Sequence, residues 1–313
     1  MKLPILILVM ALFATGCNMD NDSSQSQGKD NEEQINITVS HGDPLPDGTL
    51  QDKLLVIAQR TDKNVIYDIT IDSDASYSPL IVTTQGENVA VKIHSASHSI
   101  YTLTLNTPGS IFNVGANATL VLENIILKGH PHNNRALVSV KDGGTLIIMN
   151  GTSIRDNQNE NRYEEGGGIY VDSSSKLFMK GGEICYNYCG NRIKWDQGEG
   201  GGVYSNGLFN MAGGIINNNE TEKNGGGVCI QGSVVYGNGV FIMNGGEIAS
   251  NTALNGGGAY VYGRFVKEPL SNEVKSGIIW GYPGNGKENY ANGAAIRAGS
   301  DINYTIGEYD YWR

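Results

Sequence analysis

The apolar residues of this chain come in short runs, and the runs recur at a nearly fixed interval. LIIM (146–149), LFM (177–179), LFNM (208–211) and FIM (241–243) are each followed by a bend and an isoleucine. Those isoleucines are Ile154, Ile184, Ile216 and Ile248, with Ile279 in a weaker fifth segment, at steps of 30, 32, 32 and 31 residues. Three positions beyond the first four stand Asn157, Asn187, Asn219 and Asn251, while the fifth segment has Tyr282. A third run closes each period: GGGIYV (166–171), GGGVYS (200–205), GGGVCI (225–230), GGGAYV (256–261) and a degraded NGAAI (292–296). Three short β-type runs and three bends in every thirty-odd residues predict a parallel β-helix, in which each period is one coil. No amphipathic run of helical length interrupts the repeat, which argues against leucine-rich or ankyrin-like arrangements.

Alternation within a run sets its facing. In GGGIYV, Ile169 and Val171 are expected inside and Tyr170 outside, with Tyr204, Cys229 and Tyr260 as the equivalent outer positions. Coils are spaced by about 4.8 Å, so these side chains should stack on one outer sheet. The glycines are expected at corners, where a Cβ would obstruct the turn. The asparagines, at constant offset from an isoleucine, are expected to bond coil to coil in a ladder.

The repeat loosens upstream. Segments 109–129 and 136–151 align on Leu120 and Leu146, and NVIYDITI (64–71) and NVAVKIHS (88–95) read as earlier coils, giving about eight in all. Ahead of them, TLQDKLLVIAQ (49–59) has apolar residues at Leu50, Leu54, Ile57 and Ala58, with Thr49 as N-cap and Asp52 near the helix start. A helix there would cap the open end of the solenoid. The aromatic segment 301–313 is a candidate closure for the other end.

The N-terminus adds an address. Lys2 precedes an eleven-residue apolar run, Leu3–Phe13, too short to span a bilayer and suited to a secretory signal. Ala14-Thr15-Gly16 then lead to Cys17, which resembles the lipobox of bacterial lipoproteins; the alternative is a simple cleaved signal with an incidental cysteine. The resemblance implies acylation of Cys17 and attachment to a bilayer through its acyl chains. The expected organisation is a signal peptide at 1–16, acylated cysteine and polar tether at 17–42, capping helix at 43–63 and β-helix at 64–313. Such a chain would be lipid-anchored in the bacterial cell envelope, at the outer membrane or cell surface.

Composition narrows the partners. The chain has 313 residues, 43 of them glycine without a Gly-X-Y period, and a formal charge of −10, which argues against nucleic acid or an anionic membrane surface. Cys185 and Cys189 could pair, leaving Cys229 odd. His94, His98, His130 and His132 lack acidic neighbours in sequence, so no metal and no cofactor is expected. Among carboxylates, Glu183 and Glu247 recur two coils apart with Ile215 between them. They are the candidate catalytic pair for a hydrolase or, on the blander reading, solvated turn residues. The loops between isoleucine and glycine triplet vary in length and carry Tyr163, Tyr186, Tyr188, Trp195, Trp280, Tyr282 and Tyr290 beside the tyrosine column. Variable aromatic loops on one edge of a rigid rod suit ligand binding, with Tyr170, Tyr204, Tyr260, Trp195 and Trp280 as candidate contacts.

The I-x-x-N segment followed by G-G-G-[VIA]-[YC], best seen in Ile248–Asn251 with Gly257–Tyr260, resembles the FxxN and GGAI repeats of the polymorphic outer-membrane proteins. More broadly, residues 64–300 resemble the right-handed parallel β-helix superfamily of pectate-lyase-like enzymes and adhesins. Isoleucine stands where FxxN has phenylalanine, and no C-terminal membrane barrel follows, so autotransport is not implied. The resemblance implies an all-β, single-stranded right-handed coil with either of two functions. One is non-catalytic adhesion or binding of a glycan or host-surface protein, which the aromatic loops favour. The alternative is a polysaccharide lyase or glycoside hydrolase on the same scaffold.

Overall fold

The computed structural model describes residues 40–96, 99–161, 163–191, 198–233, 237–267, 277–279, 289, 296–298 and 302–304. The chain winds as an all-β parallel solenoid with a single short helix among the described residues. One coil runs through Thr145–Ile148, Ser153–Arg155 and Ile169–Val171, and each strand pairs in parallel with its counterpart in the coils above and below. We name the three resulting sheets by their order in the coil: sheet 1 has ten strands, and sheets 2 and 3 have eight each.

The repeat isoleucines form one continuous register in sheet 2, Ile154–Ile184–Ile216–Ile248–Ile279, and all are fully buried. Leu120, Leu146, Leu177, Phe209, Phe241 and Phe265 do the same in sheet 1. The last three stack face to face at 4.8 and 5.0 Å between ring centres. Burying one such side chain contributes on the order of 1.5–3 kcal/mol, and the column repeats that gain coil after coil. Outward positions are not uniformly polar: Val121, Ile147 and Phe178 form a second, smaller apolar cluster on the outer side of sheet 1.

Glycine has two distinct uses in the triplets. The first of each, Gly166, Gly200, Gly225 and Gly256, has φ between +59° and +79°, which L side chains rarely adopt. The second and third are set by contact between coils. A Cβ on Gly201 would lie 2.5 Å from the Gly226 carbonyl oxygen, and one on Gly202 would lie 3.0 Å from the Asn219 amide nitrogen.

The third glycine thus makes room for buried asparagine side chains. Asn187 Nδ2 donates to Asn219 Oδ1 and Asn219 Nδ2 to Asn251 Oδ1, both at 3.0 Å, and Asn251 Nδ2 to Asn289 Oδ1 at 2.8 Å. Asn157 joins through its backbone N–H, which donates to Asn187 Oδ1 at 3.3 Å, and accepts in turn from Asn133 Nδ2 at 2.7 Å. With this asparagine corner the regular solenoid is about six turns long, against the eight coils expected. At the N-terminal end the three sheets continue without it, because Gly109 stands where the next asparagine would bond.

That end is covered by helix α1, Leu50–Gln59. Thr49 and Asp52 form a capping box, with the Asp52 N–H donating to Thr49 Oγ1 and the Thr49 N–H to Asp52 Oδ2. Its buried face, Leu50, Leu54 and Ile57, is continuous with the core of the rod. The strand Ser40–His41, inside the segment expected as tether, already pairs with Val65 and Ile66 at the edge of sheet 1.

Candidate functional site

The outer face of sheet 3 gathers most of the chemistry. Its outward residues run in register as Ile81, Asn113, Ser139, Tyr170, Tyr204, Cys229 and Tyr260. Over the first three coils the outward side chains are small or short, and the face sinks into a groove of about 320 Å³. Ile81, Asn113 and Ser139 form its floor, with Pro79 and Thr83 at one end and Lys141 and Asp142 at the other.

Tyr170 stands where the groove ends. Its ring stacks on Tyr204 at 5.6 Å and 12°, and Lys141 Nζ lies 5.0 Å from its centre. Ser139 is small enough for Lys141 to reach across it, so Tyr170 is held between a cation and a second ring. Tyr204 is only 8% exposed. Burial first, and then Cys229, Glu165 and Glu199 beside it, push its phenol far above the ordinary value.

Where the column narrows to Cys229, the space is filled by glutamate. Glu199, itself 5% exposed, places its carboxylate beside Cys229 Sγ at 3.8 Å. It accepts from Asn224 Nδ2 and Gln231 Nε2, both at 2.6 Å, and pairs with Lys223 Nζ at 3.0 Å. Burial works against the Lys223 ammonium, yet the Glu199 contact and charge carry its pKa upward. Glu165, one coil away, accepts the Glu199 backbone N–H on Oε2 at 2.5 Å. Burial, reinforced by the Glu199 charge, raises its carboxyl from the ordinary 4.5 to about 7. A carboxyl that can be neutral at neutral pH beside one clamped by a lysine and two amides is an arrangement that acid–base and binding sites share.

Sequence reasoning missed this pair, although the signal was there. The residue just before each glycine triplet reads Glu165, Glu199, Asn224, Asn255, and the coil stacks these positions. The carboxylates singled out beside the isoleucines, Glu183 and Glu247, belong to sheet 2 instead.

Glu183 and Glu247 lie on the outer side of sheet 2, flanking Ile215 in register, so two coil rises (about 10 Å) separate their backbones. Glu183 accepts from Asn217 Nδ2 at 2.9 Å. Of the loop aromatics, Tyr163 and Tyr186 are exposed, whereas Tyr188 is buried with its hydroxyl donating to Glu222 Oε1 at 2.6 Å. Cys17, Trp195, Trp280, Tyr282 and Tyr290 lie outside the described residues.

Cys185, Cys189 and Cys229 are buried free thiols, so Cys185 and Cys189 do not pair. They face different partners: Cys185 contacts Ser153 Oγ at 3.9 Å, and Cys189 contacts Asn159 Nδ2 and the Glu164 carbonyl. Burial pushes all three thiols up, Cys185 to about 12. The histidines gain acidic neighbours that sequence separation had hidden, His94 to Asp68 at 2.6 Å and His132 to Glu160 at 3.4 Å. Among the described residues no three His, Cys, Asp or Glu side chains converge as a metal site. Compared with family models, with characterised proteins and with solved structures, the chain matches none.

Proposed function

We propose that the chain is a surface-tethered β-helix lipoprotein that binds a glycan or a surface protein without altering it. The observation that supports this best is the groove on sheet 3, which is concave, mainly apolar with a few polar side chains, and joined through Lys141 to the Tyr170–Tyr204 stack. A rigid rod fixes that strip in one plane, so an extended ligand would be met by several coils at once. In this reading Cys17 carries the lipid that holds the protein in the bacterial envelope, and the fold is the right-handed coil that the repeats resemble. A second reading, cleavage of a polysaccharide, draws on the raised carboxyl of Glu165 next to the lysine-bound Glu199.

A glycan array run beside reducing-sugar and unsaturated-product assays separates the two. Binding without turnover, lost when Ser139→Trp fills the groove, supports the first. Turnover abolished by Glu165→Gln would replace it with the second.

A further inference from the structure

The N-terminal end of the rod is closed only in part. The strand Lys63–Ile71 is the first long strand of sheet 1, and Ser40–His41 lies along its edge only as far as Ile66. The Gly42 N–H still donates to the Ile66 carbonyl at 3.0 Å, and there the chain leaves the edge. Arg60 draws it away, donating to the Asp43 and Pro44 carbonyls at 2.7 and 3.1 Å. Leu45 then packs against the core, and the chain returns as α1.

What this leaves bare follows from the ladder. In a parallel sheet each residue turns its N–H and C=O to the same neighbouring strand, and successive residues alternate. The Ile71 carbonyl accepts from the Ala96 N–H of the next coil, so Tyr67, Ile69 and Ile71 bond along the rod. Asp68 and Thr70 therefore turn their backbone groups past its end. Ser40–His41 does not reach them, and no described residue bonds to those groups. Both residues are exposed.

Independently, a cavity of about 230 Å³ adjoins this bare edge. Gly48, Thr49 and Lys53 line one side of it, and Thr70, Asp72 and Tyr77 the other. It shares no lining residue with the sheet 3 groove. A row of unpaired edge groups is a template for one more strand, and Ser40–His41 shows that this edge accepts one in parallel. The turn at the cavity carries Asp72 and Asp74, both exposed, against Lys53 alone, so the charge there favours a basic occupant.

We propose that this end of sheet 1 is a strand-addition site for an extended, basic segment of a partner protein, which continues the ladder where Ser40–His41 stops. Main-chain bonds to Asp68 and Thr70 would supply the affinity, and a side chain of the added strand would enter the cavity.

The test uses the full chain and a labelled, end-blocked heptapeptide, Lys-Thr-Val-Thr-Val-Thr-Lys, followed by fluorescence anisotropy. Two controls accompany it: the same peptide N-methylated at alternate residues, and a counterpart with glutamate in place of both lysines. The basic peptide should bind at least about tenfold more tightly than either control. Thr70→Pro should lose that binding yet keep the fold, because the N–H it removes faces away from the next coil. Hydrogen exchange needs no variant: the Asp68 and Thr70 amides should exchange fast in the free chain and slow down with the peptide. Equal binding of the N-methylated peptide, or full binding by folded Thr70→Pro, overturns strand addition. Tighter binding of the acidic peptide overturns the basic partner. No binding of any peptide overturns the site. Asp68 and Thr70 amides already protected in the free chain would mean that the chain's own residues ahead of Ser40 occupy the edge, which also overturns it.

Discussion

Replacing Glu165 by glutamine tests the electrostatics of the site through stability alone. Glutamine keeps the shape and the acceptor for the Glu199 N–H but cannot ionise. In the folded chain this carboxyl is raised from 4.5 to about 7, so the native state holds its proton more tightly than the unfolded chain. The sign follows from linkage: between those values the native state binds more protons, and stability falls as pH rises. The loss sets in near the unfolded value and is complete above the folded one. Its full size is on the order of 3 kcal/mol, and the side chain is mostly covered, so little is discounted for solvent screening.

Glu165→Gln should therefore match the wild type within about 1 kcal/mol at pH 5 and exceed it by about 3 kcal/mol at pH 8. Urea unfolding at both pH values gives the comparison. A stacked rod can unfold in parts, so hydrogen exchange at the Gly166 and Glu199 amides should accompany it. Those two amides bond across the coils that carry the pair. Equal stability of variant and wild type at both pH values would show that Glu165 is not held near neutral, and the account of the site would fail.

Asn219→Ala should cost more than one ordinary hydrogen bond, about 3 kcal/mol or more. It strips partners from the Asn187 amide, the Ile184 carbonyl and Asn251 Oδ1 together, and chemical denaturation reads the loss. Gly201→Ala should destabilise by about 1–3 kcal/mol, because its methyl meets the backbone oxygens of Gly226 and Glu220 at 2.5 and 2.6 Å. A melting temperature unchanged from wild type would contradict that contact. Thiol titration of the folded chain should leave Cys185, Cys189 and Cys229 unreactive until denaturant is added, since all are buried with raised pKa. Fatty-acid labelling of expressing cells should mark the wild type and not Cys17→Ala.

What the sequence made legible follows from what a stacked coil demands. A residue that must sit on its own copy one lap later is constrained at every lap. Ile184, Ile216 and Ile248 therefore announce the period, and their pairing in one register is the solenoid itself. Alternation told inside from outside wherever one face is core, as at Ile169, Tyr170 and Val171. It did not tell whether an outward residue would be left open. Tyr204 and Cys229 are outward yet covered, because exposure there depends on which long side chain from a neighbouring coil lies across them.

The site was hard to read for the same reason. Glu165 and Glu199 are 34 residues apart in sequence and adjacent only after winding, and they gain meaning from Lys223, Asn224 and Gln231, which two further coil strands deliver. Register alone would have grouped the four residues preceding the glycine triplets. No sequence rule says which member of such a column will take a counter-charge, since that is decided by where one lysine goes. Lys223 goes to Glu199. The solenoid that repeats its core so regularly thus breaks the repeat at one corner, where neighbouring coils bring Glu165 and Glu199 together and the lysine of the next coil is taken by one of them.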